Sequence, residues 1–145
     1  MRITTTLLIL MLSASIALAG SLKDKVYGRV TVSEITSIYD GDTFRCNIDG
    51  YPRLIGERIG IRINGIDTPE MRDNRPHIKK LAQRAKQFAV ERLRSGHHIE
   101  LRNMKRGKYF RIVADVYIDG RSLAEELMRA GLAKPYDGGK KTKWE

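Results

Sequence analysis

Residues 59–70 read Ile59-Gly60-Ile61-Arg62-Ile63-Asn64-Gly65-Ile66-Asp67-Thr68-Pro69-Glu70. Isoleucine at 59, 61 and 63, with Gly60, Arg62 and Asn64 between, has the period-two pattern of a half-buried strand. Arg62 therefore falls on its less apolar face. The strand runs into two carboxylates, Asp67 and Glu70, and Pro69 stiffens the backbone between Thr68 and Glu70. A strand end followed by an ordinary polar turn accounts for this stretch equally well, and the residues alone leave both readings open.

Upstream, Val30 to Tyr39 and Thr43 to Ile48 read as β, joined by the turn sequence Asp40-Gly41-Asp42. Downstream, Ile78, Leu81, Ala82, Ala85, Phe88, Ala89 and Leu93 recur at helical spacing, ending near Gly96. Lys79, Lys80, Arg84, Lys86 and Arg92 cover the opposite side of that helix. Ile99 to Leu101 and Tyr109 to Ile118 return to β, and Ser122-Leu123-Ala124-Glu125 is a capping box opening a helix that Gly131 closes. The expected fold class is mainly β with α (α+β): a five-stranded OB-type barrel with two packed helices.

Composition narrows the function. The chain has 145 residues, 27 Lys+Arg against 17 Asp+Glu, and a net charge of +10, which points to an anionic partner. Twelve Lys or Arg and only two acids lie between Arg75 and Arg111, a local balance of +10. The one cysteine excludes an internal disulfide framework and structural zinc sites of the four-cysteine or two-cysteine, two-histidine type. Cys46, between Phe44 and Ile48 in an apolar alternation, reads as a small core residue. His77, His97 and His98 have no metal-binding spacing and are expected to begin a helix and a strand.

Residues 1–20, MRITTTLLILMLSASIALAG, have a positive start, a short apolar run and the small-x-small sequence Ala17-Leu18-Ala19. That is the pattern of a secretory signal peptide cleaved between Ala19 and Gly20. The apolar run is too short to span a membrane, and no other stretch approaches the ~20 residues required. The expected organisation is a signal peptide over 1–19, one domain over 20–137 and a basic flexible tail over 138–145. The expected product is exported, periplasmic or secreted, monomeric and without stable membrane association. Removing Arg2 leaves 26 basic and 17 acidic residues, a net +9.

Asp40-Gly41-Asp42-Thr43 taken alone is a hairpin turn. It is no EF-hand, because Arg45 stands where that loop needs Gly. If it converges with Asp67 and Glu70, several carboxylates approach one another, and protons or a cation must compensate. With only hard oxygen donors, calcium or magnesium is favoured over zinc.

These pieces, together with Lys108-Tyr109-Phe110-Arg111, Asp119-Gly120 and Gly131-Leu132-Ala133-Lys134, occur in an order and spacing that resembles the thermonuclease family, the staphylococcal-nuclease-like enzymes. The similarity covers residues 30–134. It implies the OB barrel and a calcium-dependent nuclease acting on DNA and RNA with little sequence preference, leaving 3′-phosphate ends. It implies that Asp42 and Asp67 supply carboxylate ligands to one calcium ion, with the Thr68 carbonyl beside them and Asp40 in an outer shell. Glu70 corresponds to the general base, Arg62 and Arg111 to the guanidinium groups on the scissile phosphate, and Lys108 and Tyr109 to contacts with a terminal phosphate. Where the family often has Gly before the second arginine, this chain has Phe110, which either stacks on a base or fills the sheet face, the latter being the preferred reading. After Lys134 the family's long C-terminal helix is replaced by Pro135-Tyr136-Asp137-Gly138-Gly139. The alternative is a non-catalytic OB domain binding single strands through its basic helix and exposed aromatics. A basic protein acting at an anionic membrane surface fits the charge but explains neither Asp-Thr-Pro-Glu nor the paired arginines.

Overall fold

The computed structural model describes residues 25–145; the signal-peptide reading of 1–19 lies outside the described residues. The strands are β1 (Val30–Thr31), β2 (Glu34–Ile38), β3 (Thr43–Asn47), β4 (Ile59–Ile63), β5 (Ile66–Asp67), β6 (Ile99–Arg106), β7 (Arg111–Ile118), β8 (Arg121–Ser122) and β9 (Lys134–Pro135). The helices are α1 (Arg53–Gly56), α2 (Pro76–Ser95) and α3 (Leu123–Arg129).

The main sheet has the order β1-β6-β7-β4-β3-β2, with β8 alongside β7. Its two edge strands, β1 and β2, are consecutive in the chain. Between them the Val32 N–H donates to the Ile99 carbonyl at 2.9 Å, and the Ser33 N–H to the Asn47 carbonyl at 3.0 Å. One bent strand thus serves both edges of the sheet, which must curl to allow it, and this removes most of the open edge. The expected five strands are present as β1 with β2, β3, β4, β6 and β7, giving the OB-type α+β fold. The short β5, β8, β9 and the single turn α1 lie outside the sequence reading, since two-residue pairings have no periodicity to detect.

The core forms as the alternation requires. Ile59, Ile61 and Ile63 are buried, as are Phe44, Cys46, Leu101, Ala114, Val116 and Ile118. Helix α2 lays Ile78, Ala82, Ala85, Ala89 and Leu93 inward, one stripe at helical spacing. Ser122 caps α3 by accepting the Glu125 N–H at 3.3 Å. Gly131 ends it with φ +68°, a conformation glycine adopts without strain. Among the described residues no helix is long and apolar enough to cross a membrane.

Candidate active site

Strand register places the first site residues. In the antiparallel pair β3–β4, Thr43 lies opposite Arg62, and the Ile63 N–H donates to the Asp42 carbonyl at 2.9 Å. In the parallel pair β4–β7, Gly60 lies opposite Arg111 and Arg62 opposite Val113. Residues two apart share a face, so Arg62 and Arg111 are diagonal neighbours on one face. Gly60 leaves the space between strands open: a Cβ there would lie 3.2 Å from that of Arg111.

Asp42, Arg62, Asp67 and Thr68 form a buried polar network. The Asp42 Oδ2 accepts the Thr68 N–H at 2.8 Å and the Thr68 hydroxyl at 3.0 Å. It also faces Nη1 of Arg62 at 3.1 Å. Oδ1 accepts the Thr43 hydroxyl at 3.0 Å. Arg62 donates through Nη1 to the Ile63 carbonyl at 3.1 Å and through Nη2 to the Ile66 carbonyl at 2.9 Å. The same Nη2 lies 3.5 Å from Oδ1 of Asp67. The Arg62 side chain is only 12% exposed and each carboxylate 6%. Charges so buried persist because each is paired and hydrogen-bonded.

The Asp-Gly-Asp turn is packed rather than free. A Cβ at Gly41 would lie 2.9 Å from both the Ala85 Cβ and the Thr68 Cγ2, so glycine lets the turn sit beneath α2. Asp40 accepts the Asp42 N–H at 3.1 Å. Burial, and next the neighbouring charge of Asp42, lift the Asp40 carboxyl to about 6. This crowding lies within the turn itself, between Asp40 and Asp42.

A cavity of about 240 Å³ collects Asp40, Asp42, Arg62, Asp67, Thr68, Glu70 and Arg111, with Tyr39 and Lys141 in its wall. The structure therefore brings together seven of the nine residues singled out from sequence. Glu70 is exposed at its rim. The Nε of Arg111 is buried and has no acceptor among the described residues. Lys108 and Tyr109 are not in this cavity; both are exposed between β6 and β7. The Tyr109 ring centroid is 5.8 Å from the Arg111 guanidinium. Phe110 does not pack on the sheet face as expected: it is 65% exposed. Its φ of +53°, with +58° at Tyr109, ends the alternation before β7 and turns both rings out of the sheet pattern.

Two contributions come from parts of the chain that carry no local signal. The Lys141 Nζ lies 2.9 Å from Oδ1 of Asp67 and 2.9 Å from Oε1 of Glu70. Burial opposes its charge, but hydrogen bonds to Asp67 and Glu70 outweigh this and hold the ammonium above its ordinary range. The tail thus places Lys141 against Asp67 and Glu70. Arg75 Nη1 reaches the Trp144 carbonyl at 2.6 Å, and Lys134 Nζ the Lys143 carbonyl at 2.8 Å. Upstream of it, the β5–β9 pair sets Asp67 opposite Lys134, and the Tyr136 ring centroid lies 6.0 Å from the Arg62 guanidinium.

The oxygen donors in this cavity include the carboxylates of Asp42 and Asp67, each already facing Arg62. Among the described residues no three or more His, Cys, Asp or Glu converge as a ready-made metal cluster. The set suits a hard divalent ion that keeps much of its water. Asp67 already attracts an ammonium, which shows the sign of charge the position favours.

Residues 60–144, more than half of the chain, match the family model described as Staphylococcal nuclease homologue. The chain is 28% identical over 118 residues to endonuclease YncB of Bacillus subtilis (strain 168), a match covering 80% of this chain and 53% of that protein. It is 32% identical over 97 residues to the SPbeta prophage-derived endonuclease YokF of the same organism, covering 66% of this chain and 31% of that one. The chain thus spans about half or less of the length of these relatives. With the strand order, the paired arginines and the buried carboxylates in place, the chain belongs to the staphylococcal nuclease-like family.

Proposed function

We propose that the protein is an exported, calcium-dependent nuclease that hydrolyses phosphodiester bonds of DNA and RNA with little sequence preference, leaving 3′-phosphate ends. One observation carries the reading: Arg62 and Arg111 line the same cavity as Glu70 and the buried Asp42–Asp67 pair. The relatives named as endonucleases support it.

Attack on a phosphodiester piles negative charge onto the non-bridging oxygens. Two planar guanidinium groups on one sheet face oppose that charge with a fork geometry that lysine lacks. Arg62 is held by two backbone carbonyls, so its position is set before substrate arrives. Glu70, exposed at the rim, takes the proton from the attacking water through its carboxylate. Asp42, Asp67 and the Thr68 carbonyl would hold the calcium ion, with Asp40 behind them; when bound, the ion supplies further positive charge at the phosphate. Lys108 and Tyr109, on the exposed connection beside Arg111, would meet a terminal phosphate of the nucleotide.

The test incubates the purified protein with plasmid DNA and with single-stranded RNA, in calcium or in a chelator. Wild type is expected to cleave both in calcium and neither in chelator, while Glu70→Gln loses about 10²–10⁴-fold in rate. Undiminished cleavage in chelator, or by Glu70→Gln, defeats the mechanism. Tight binding with no cleavage selects a nucleic-acid-binding OB domain instead.

A further inference from the structure

A second groove, of about 670 Å³, opens on the same sheet beyond Arg111. Its wall includes Tyr27, Tyr51, Ile55, Met104, Arg106 and Phe110, and among the described residues no acid lines it. Arg106 and Lys25 flank the Tyr27 ring, their charged groups 5.8 Å and 5.5 Å from its centroid. A third hollow, of about 310 Å³, is bordered by Tyr39, Arg45, Tyr109, Phe110 and Arg111. Arg111 and Tyr39 border both this hollow and the carboxylate cavity. Arg111 and Phe110 border both the hollow and the large groove. Arg111 is thus a wall common to the carboxylate cavity, the hollow and the aromatic groove.

Phe110 is the telling residue. It is 65% exposed, at φ +53°, where a bulky side chain is strained and glycine is not. Neither burial nor backbone preference accounts for an aromatic ring there, whereas a ligand with flat faces does. Apolar and aromatic walls carrying cations and no carboxylates match unpaired nucleobases linked by phosphates.

We propose that this groove binds the unpaired bases of single-stranded nucleic acid flanking the scissile phosphate, an inference that rests on the nuclease reading of the neighbouring cavity. Bases stack on Phe110 and Tyr27, and Arg106 and Lys105 face the phosphates between them. A duplex keeps its base faces stacked inside and cannot use such a surface.

The test measures binding of fluorescein-labelled oligothymidylates of three and nine nucleotides by anisotropy, in chelator so that turnover stops. Wild type is expected to bind the nine-mer more tightly than the three-mer. Phe110→Ala, Phe110→Gly and Tyr27→Ala should each weaken the nine-mer by roughly 5- to 140-fold, the range for loss of one stacked base. Phe110→Gly relieves the backbone, so weak binding by a variant that melts no lower than wild type separates lost stacking from misfolding. Nine-mer affinity unchanged in all three variants, or a nine-base-pair duplex bound as tightly as the single strand, overturns the proposal. So does a wild-type dimer in the absence of oligonucleotide that Phe110→Ala turns into a monomer, because a second copy then fills the groove. Plasmid cleavage in calcium is scored separately: a chain that cleaves but shows no length dependence loses the groove and keeps the nuclease reading.

Discussion

Arg62 bridges two carboxylates that lie 25 positions apart in sequence, with Asp42 Oδ2 3.1 Å from its Nη1 and Asp67 Oδ1 3.5 Å from its Nη2. All three side chains are nearly buried, so removing the cation leaves Asp42 without its ion-pair partner and Asp67 with only Lys141. Arg62→Ala should destabilise the metal-free protein by about 3–5 kcal/mol, the cost of breaking a buried pair. Urea unfolding in chelator measures this; a midpoint within error of wild type would show that Arg62 serves only the substrate.

Arg111 stands differently, because its Nε has no acceptor among the described residues. Arg111→Lys keeps a positive charge but loses the planar fork. We expect cleavage to fall by about 10²–10³-fold with a melting temperature close to wild type. Cleavage within threefold of wild type would remove the fork from the mechanism.

On the proposed calcium reading, Lys141 competes with the ion for Asp67. Its side chain is 47% exposed, and ion pairs this accessible contribute only ~0–1 kcal/mol. Lys141→Ala should therefore lower the calcium concentration for half-maximal cleavage by up to about fivefold. A calcium titration of initial rates checks this, and a higher requirement in the variant would mean the tail assists the site.

Gly41 is required by packing. Gly41→Ala drives a methyl group against Ala85 and Thr68, each 2.9 Å from its ideal position. Overpacking of this kind costs ~1–3 kcal/mol, and the shift of Thr68 should also disturb Asp42. Thermal melting should show the loss, and weaker calcium binding should accompany it.

Cys46 is fully buried, and that burial pushes its thiol up to about 12. The native state therefore favours the protonated form. It keeps the full contribution of this group below the ordinary thiol value and loses it as pH rises from about 9 towards 12. A disulfide reagent at pH 8 should label Cys46 only after denaturation, and rapid labelling of the folded protein would contradict this burial.

Much of the architecture is legible in residue order because burial imposes local periods. Ile59, Ile61 and Ile63 announce β4, and the stripe from Ile78 to Leu93 announces α2, with the boundaries shifted by only a few residues. Phe110 shows where the same logic stops. Alternation carried through Tyr109 and Phe110 predicts a packed ring, but positive φ at both residues takes them out of the strand, and no period records a turn of that kind.

The candidate-site constellation divides in the same way. Asp-Gly-Asp-Thr, Arg-x4-Asp-Thr-Pro-Glu and the arginine opening β7 are recognisable in order along the chain, since their chemistry demands those residue types. That Arg62 and Arg111 share a face follows from β4–β7 register, a pairing across some fifty residues that residue patterns do not encode. The docking of Lys141 on Asp67 and Glu70 rests on an accident of reach in a polar tail, with no apolar period to mark it. Local stereochemistry and hydrophobic spacing write strands, helices and motifs into a sequence. Which charges finally neutralise one another is settled by long-range packing, because Coulomb attraction depends on separation in space and not along the chain.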